Sequence, residues 1–500
     1  SKLFMIISLS VLVITIIVSG TYALYKAQLS KNIGVNTTTH GLAYYINYVK
    51  GTDITAATLN PSTSYEGGAS SDIEFWKKDD SYDIYGKIEL TVNTIGTNLS
   101  NSPALKYAVV NNGNVLKEGS LKGTTSGSKV TILKNLYLEQ TKQIYTVYVW
   151  LDNSEELGNI SNESLSISVD CTASLQKEPA ADTIISLYTS AAKVTATNNS
   201  ITYNTAPSVS LMNDRLGGTT TSLDGGNIRY YGASPNNYIY FNCSDYSNQT
   251  SSTCETWRII GVFDGKLKLI RGSQIGTYSW DNKNISTGAE DDRGKNDWTT
   301  ARLMKLLNPD DYYINDNNDK DSEGNYLGYS LYYNSASGMC FTDEGVNYSA
   351  CDFTSTGIKN DETRNMIAEV TYNLGGWNDT KIYPNQIYVY ERGRTVFSGR
   401  PTTWTGKIAV AYPSDYGYAA DLNQCKQTLV NYDNSTCTSN NWMKNIVTNN
   451  GGNYGWLLTH RPDSSSSTWT VRREGLANNI SEASGGLGVV PVLSLSSELG

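Results

Sequence analysis

Residues 143–153 read QIYTVYVWLDN, a run of β-branched and aromatic side chains closed by Asp152 and Asn153. Runs of the same kind surround it: KIELTVNTI at 87–95, LKYAVVNNG at 105–113, SKVTILKNL at 128–136 and SLSISVD at 164–170. Their length, their alternation and the Asn, Gly and Ser between them predict antiparallel strands, and together an all-β sandwich over residues 30–174. One face of each strand is expected to be apolar and the other Thr and Lys. Past the sandwich the period changes. Residues 180–194, AADTIISLYTSAAKV, carry apolar side chains every three to four positions, and the polar run ATNNSITYNTAPS follows at 196–208. A helical connector over 175–208 is the reading.

Composition shifts beyond residue 209: six of the seven cysteines and eight of the ten Trp lie there, with only Trp76 and Trp150 before it. A distinct second domain over 209–500 follows from that shift. Its strands are short, such as NYIYFN at 237–242, KIAVAY at 407–412 and TWRIIGVFDGKLKLIR at 256–271, where Asp264-Gly265 marks a hairpin turn. Helical signals are few: TTARLMKLLN at 299–308 and DETRNMIAEVTYNLG at 361–375. An α+β domain with long loops is expected.

The chain has 500 residues, 39 Lys and Arg against 48 Asp and Glu, and a net charge of −9. A phosphate backbone finds no general attraction there, so nucleic acid is excluded as a partner. Just 2 His remove most His-based catalysis and most zinc sites. Residues 3–25, LFMIISLSVLVITIIVSGTYALY, carry no charge and are long enough to cross a bilayer. Residues 1–26 therefore read as a signal peptide, cut after Ala23, or as a membrane anchor, with the remainder exported to the cell surface or the extracellular space.

The cysteines agree with export. Cys243 with Cys254, Cys340 with Cys351, and Cys425 with Cys437 are close neighbours in sequence, so three local disulfides are expected. Each would close a loop of ~10 residues and stabilise by a few kcal/mol. Metal binding by these cysteines lacks the paired CxxC or His ligands it needs. Cys171 is left over, either buried and reduced or open to another chain.

Two resemblances bear on identity. The TYALY that ends the apolar segment, followed by strands including YVWLDN at 148–153, resembles the camelysin and TasA type of exported Firmicute surface or matrix protein. In the second half, RYYGASPNNYIYFN at 229–242, TWRIIGVFDGKLKLIR at 256–271, WTTARLMKLLNP at 298–309, AVAYPSDYGYAADLNQC at 409–425 and VVPVLSLSS at 489–497 resemble uncharacterised surface proteins of gut Firmicutes. Their C-terminal modules are similar to the C-type-lectin-like and formylglycine-generating-enzyme-like folds. The pattern they imply is a Trp-Leu core segment, a variable loop region and a closing Gly-Val-Arg-Pro strand. Here these match Trp456-Leu457-Leu458, residues 459–487 and Gly488-Val489-Val490-Pro491, with Val490 in place of the Arg. Some lectin-like domains that end this way are targets of diversity-generating retroelements, which alter ligand contacts near the C-terminus.

Within residues 459–486, THRPDSSSSTWTVRREGLANNISEASGG, the side chains of His460, Arg461, Trp469, Arg472, Arg473, Asn478 and Asn479 supply stacking, forked donors and adaptable polar contacts. They are the expected ligand-binding face, with a solvated hairpin as the plainer reading. Alternation places Trp469 with Val471 and Arg473, and Arg472 on the opposite side. The acidic run DNNDKDSEG at 316–324 offers Asp316, Asp319, Asp321 and Glu323, which imitate the start of a calcium loop. Its twelfth position is Ser330 rather than the bidentate Glu, so a solvated loop competes, and no other cofactor is indicated.

No Ser or Cys stands in a nucleophile context, the Gly-Gly pairs form neither GxGxxG nor a P-loop, and no paired-carboxylate motif is locatable. The sequence therefore points away from catalysis. It points to a surface protein that binds an external glycan or protein through C-terminal loops. The alternative is a self-assembling subunit of an extracellular filament or biofilm matrix.

Overall fold

The computed structural model describes residues 46–55, 59–80, 83–160, 163–174, 180–214, 226–246, 248–282, 293–342 and 348–496, together with the backbone of 27–29. The signal or anchor reading of residues 1–26 lies outside them. Among the described residues no helix is long and apolar enough to cross a membrane. The chain is mostly β-sheet with short helices, and it divides into two units, Ser1–Glu178 and Pro179–Gly500.

Alternation builds the first unit. Across Ala69–Lys77, and in Tyr85–Ile95 as far as Val92, every second residue is buried, which a pleated strand achieves by turning one face inward. One sheet runs Ala27–Leu29, Leu165–Ser174, Tyr85–Ile95, Lys129–Tyr137, with Ile54–Thr55 also on Leu165–Ser174. The other runs Ile46–Val49, Ala69–Lys77, Ile144–Asp152, Leu105–Asn111, Asn114–Ser120, with Pro61–Ser62 beside Ile144–Asp152. Ile73, Phe75 and Val147 from one sheet and Ile88, Leu90 and Ile167 from the other share a single core, each fully buried. Burial of that kind contributes roughly 1.5–3 kcal/mol per side chain. The sandwich is as expected, but its outer face is not only Thr and Lys. Trp150, Ala108 and Val110 form a buried patch there beneath Tyr65 and Tyr148. Cys171 points into the core, and burial pushes its thiol well up, which leaves it inert.

The second unit carries a nine-stranded antiparallel sheet. Its order is Val194–Asn198, Ile201–Ala206, Leu211–Asn213, Ile228–Tyr230, Glu255–Phe263, Lys266–Arg271, Val492–Ser494, Ile408–Ala409, with Tyr238–Phe241 also on Glu255–Phe263. Asp264 and Gly265 turn the central hairpin with φ of 48° and 73°, the left-handed pair that a two-residue turn demands. A five-stranded sheet runs Thr277–Ser279, Gly486–Gly488, Gly455–His460, Ser467–Val471, Ala477–Glu482. Aromatic clusters cover both of its faces: Trp456, Leu458 and Ala483 belong to one core, Leu457, Trp469 and Val471 to another.

The segment expected to connect the units is part of the second one. Helix Ala180–Ser190 lays Ala181, Ile184 and Tyr188 on the main core, a spacing of three and four that keeps them on one face. Val194–Asn198 and Ile201–Ala206 then open the nine-stranded sheet, turning at Asn199 and Ser200, both with positive φ. Of the two other helical signals, 299–308 gives helix Arg302–Leu307, whereas 361–375 is helical only over Asp361–Met366. Its Val370–Asn373 pairs instead with Thr403–Gly406, where β-branched Val370 and Thr371 suit a strand. Disulfides join Cys243 to Cys254, Cys340 to Cys351 and Cys425 to Cys437, the three pairs expected. Such staples belong to a chain matured in an oxidising, extracellular environment.

Candidate functional site

The expected binding face does not form. Trp469 is fully buried, with its indole Nε1 donating to the Trp377 carbonyl at 3.4 Å. Asn479 is buried beside it and donates to the same carbonyl at 3.0 Å, and buried Asn478 accepts from Thr470 Oγ1. His460 is buried too. Its Nε2 accepts from the Phe397 amide at 3.3 Å, and burial, then Arg400, pushes the imidazole down to about 4. The reason is the double cover of the five-stranded sheet. Alternation assigns one face to solvent only when one face is wet, and here both are packed. Arg461 is tied to Asp463 by 2.5 and 3.1 Å bonds. Arg472 and Arg473 lie past the end of Ser467–Val471, so they do not alternate but both approach the Tyr454 ring, at 5.5 and 5.6 Å.

The acidic run is an anchor rather than a cation cradle. Asp319 is buried and accepts from Arg302, from Lys305 Nζ at 2.8 Å and from the Tyr329 hydroxyl at 2.5 Å. Asp321 accepts the Asn325 and Glu323 amides at 2.9 Å each, which hold its carboxyl below the usual range. Glu323 is exposed. Among the described residues no group of three or more His, Cys, Asp or Glu could hold a metal ion.

A cleft of about 800 Å³ opens elsewhere in the second unit. Its walls are the tip of the central hairpin, strand Val370–Asn373 and the end of helix Pro384–Glu391 with Arg392. Lys268 and Ser494 line its floor, and they continue a cross-strand row through Gly261 to Arg229 behind it. Gly261 is required there, since a Cβ would meet the Ile228 carbonyl oxygen at 2.2 Å. On either side of it, Arg229 Nη1 reaches Asp415 Oδ1 at 2.9 Å and Lys268 Nζ reaches Asp415 Oδ2 at 2.5 Å. Arg229 Nε also pairs with Asp214 at 2.6 Å. Burial alone would raise the Asp415 carboxyl, but Lys268 and Arg229 outweigh it and hold it at about 2. Burial draws Lys268 below its ordinary range, with Asp415 opposing. The result is a buried two-cation, two-carboxylate lattice.

Aromatic rings interleave with these cations. Arg229 stands 4.6 Å from the Phe263 centroid and 4.7 Å from that of Tyr418, while Lys268 stands 4.7 Å from Tyr412 and 5.0 Å from Phe263. Arg392 stacks on Tyr388 at 3.4 Å. Its Nη1 donates to the Tyr388 carbonyl at 3.2 Å and to Glu391 Oε2 at 3.3 Å. Glu391 is fully buried and also accepts the Ser414 amide at 2.9 Å and hydroxyl at 2.5 Å; burial pushes its carboxyl up to about 7. Three groups on the cleft wall have no hydrogen-bond partner among the described residues: the Nε and Nη2 of Arg392, the Asn373 carboxamide and the Lys266 ammonium. The cleft thus offers the half-buried Phe263 ring, planar donors and acceptors, and fixed charge behind them.

None of the charged cleft residues was a sequence candidate. The available signal was a charge inside an apolar strand: KLKLIR places Lys268 between Leu267 and Leu269, where a lone cation is buried only with a partner. A second, smaller cleft of about 310 Å³ lies beside Tyr238, Arg258 and Arg271.

No family model matches the chain, and no curated protein does. Among solved structures, it is similar to two titled as point mutants of HCR/D, at 12% identity, over 52% of this chain and 75% and 76% of those chains, with TM-scores of 0.16 and 0.15. It is also similar to a receptor binding domain of botulinum neurotoxin mosaic serotype C/D, at 13% identity over 53% of this chain and 75% of that one, with a TM-score of 0.16. Overlap at such scores does not amount to a shared fold.

Proposed function

We propose that this is an exported, cell-surface recognition protein whose second unit binds an external saccharide in the 800 Å³ cleft. The observation that carries the reading is that the Arg392–Tyr388 stack and Asn373 line the same cleft. Sugars present CH faces that pack on aromatic rings and hydroxyl rims that need planar donors and acceptors; half-buried Phe263 supplies the first, and Asn373 with Arg392 the second. The rigid floor beneath them fixes those groups before a ligand arrives, which lowers the ordering cost of binding. The reading is recognition rather than catalysis: buried Glu391, behind Arg392, has both carboxyl oxygens engaged by Ser414 and Arg392, and buried Asp415 is engaged by Lys268 and Arg229.

Assembly into filaments is the weaker reading. The outer sandwich strand Asn114–Ser120 is exposed, but its pairing with Leu105–Asn111 is interrupted by an irregularity and it carries Lys117 and Glu118. Bulges and charges of that kind blunt an edge against pairing with another chain. The test of the recognition reading is binding of the full, disulfide-intact chain to a glycan panel, repeated with Asn373→Trp, which fills the cleft from a half-buried strand position. Loss of binding at an unchanged melting temperature is expected. Glycan binding that survives the filled cleft would sink the assignment.

A further inference from the structure

Resting on that reading of the cleft, we propose that its saccharide is an acidic one, whose carboxylate docks on the Nε/Nη2 edge of Arg392. A guanidinium offers two parallel N–H donors along that edge, spaced to match the two oxygens of a carboxylate. Here the opposite corner is already fixed: Nη1 is held by the Tyr388 carbonyl and Glu391, and the plane lies on the Tyr388 ring. The free edge is therefore preorganised, and the side chain is 28% exposed where it lines the cleft.

The pairing of the charges, rather than their sum, bears on the same ligand. The two buried cations of the cross-strand row are matched by two carboxylates, Arg229 and Lys268 against Asp214 and Asp415. Arg392 has only Glu391, whose oxygens also take the Ser414 amide and hydroxyl and whose burial favours the neutral acid. Lys266, on the cleft wall, adds a further cation. Two acids share the wall: Glu369, engaged by the Tyr312 hydroxyl at 2.8 Å, and Asp264, at the hairpin turn. A ligand carboxylate at Arg392 would meet the Nε/Nη2 edge that no described residue occupies, while its ring packs against the half-buried Phe263.

The probe pair is tetragalacturonate and its fully methyl-esterified form, which share a ring skeleton and differ in charge. Calorimetry on the full, disulfide-intact chain should show the acid binding at least tenfold more tightly than the ester. Arg392→Lys keeps the charge but removes the fork, and it should erase most of that preference while the ester binds as before. Equal affinity for acid and ester, or a preference that Arg392→Lys leaves intact, would overturn the carboxylate assignment and leave a neutral-saccharide cleft standing. Binding of neither probe, with a glycan panel also blank, removes the saccharide reading and this inference together. Should Arg392→Lys fail to fold, the acid-to-ester ratio of the unaltered chain decides alone.

Discussion

Arg229 and Lys268 stand on either side of Gly261 in one cross-strand row and converge on the two oxygens of a single carboxylate, Asp415, at 2.9 and 2.5 Å. All three side chains are buried, so the pairing is the support on which the cleft rests rather than a surface ornament. Removing one member of such a cluster leaves buried charge without compensation.

Asp415→Asn is therefore expected to cost about 3–5 kcal/mol, because two cations lose their shared partner in a low-dielectric interior. Urea unfolding of the full chain, followed by tryptophan fluorescence, measures it. A loss below about 1 kcal/mol would show that the cations find other partners or water, on the scale of an exposed pair.

Opposite pH effects are built into Glu391 and His460. Burial raises the Glu391 carboxyl from 4.5 to about 7, so the native state keeps a proton the unfolded chain releases. That stability is present below pH 4.5 and lost as pH rises through 7. Burial, then Arg400, lowers His460 from 6.5 to about 4, so the unfolded chain takes a proton the native state refuses. That stability is present above pH 6.5 and lost as pH falls through 4. Each effect amounts to about 3 kcal/mol at 1.36 kcal/mol per tenfold, and between pH 4.5 and 6.5 they oppose one another. Glu391→Gln should remove the first, leaving stability that climbs by about 3 kcal/mol from pH 4 to 6.5. Urea midpoints across that range test it, and a flat profile in the variant contradicts it.

Trp469 is a core residue, so Trp469→Ala should destabilise by about 3–5 kcal/mol through the cavity it opens. Exposed Arg473, adjoining the same strand, should change stability by no more than about 0.5 kcal/mol when replaced by Ala. Chemical denaturation of both variants separates a packed strand from a display loop. Comparable, small effects would restore the display reading.

Replacing Cys425 and Cys437 together with Ala should lower stability by about 3 kcal/mol, the scale for a loop of roughly this length. Thermal denaturation of the double variant checks it, and an unchanged melting temperature would mean the loop is held by its packing alone.

The sandwich and the staples were legible because their signals are local. KIELTVNTI and QIYTVYVWLDN alternate within a single strand, and each cysteine pair is separated by 11 or 12 positions. The site was not legible because its members meet only in the fold. Lys268, Asn373 and Arg392 come from three separate elements, and Asp415 joins them from a fourth. TWTV at 468–471 misled for a related reason: a strand with a wet face and a strand packed on both faces can carry the same letters when Thr is buried, as Thr468 and Thr470 are here. Likewise Asp319 imitates a calcium ligand in sequence, yet helix Arg302–Leu307 brings Arg302 and Lys305 onto it.

Hydrogen exchange of the full chain with and without a bound glycan tests the location of recognition most directly. Slowed exchange at residues 263–268, 370–373 and 388–392 is the predicted result. Protection concentrated in 459–479, with the cleft unchanged, would contradict it and return recognition to the C-terminal loops.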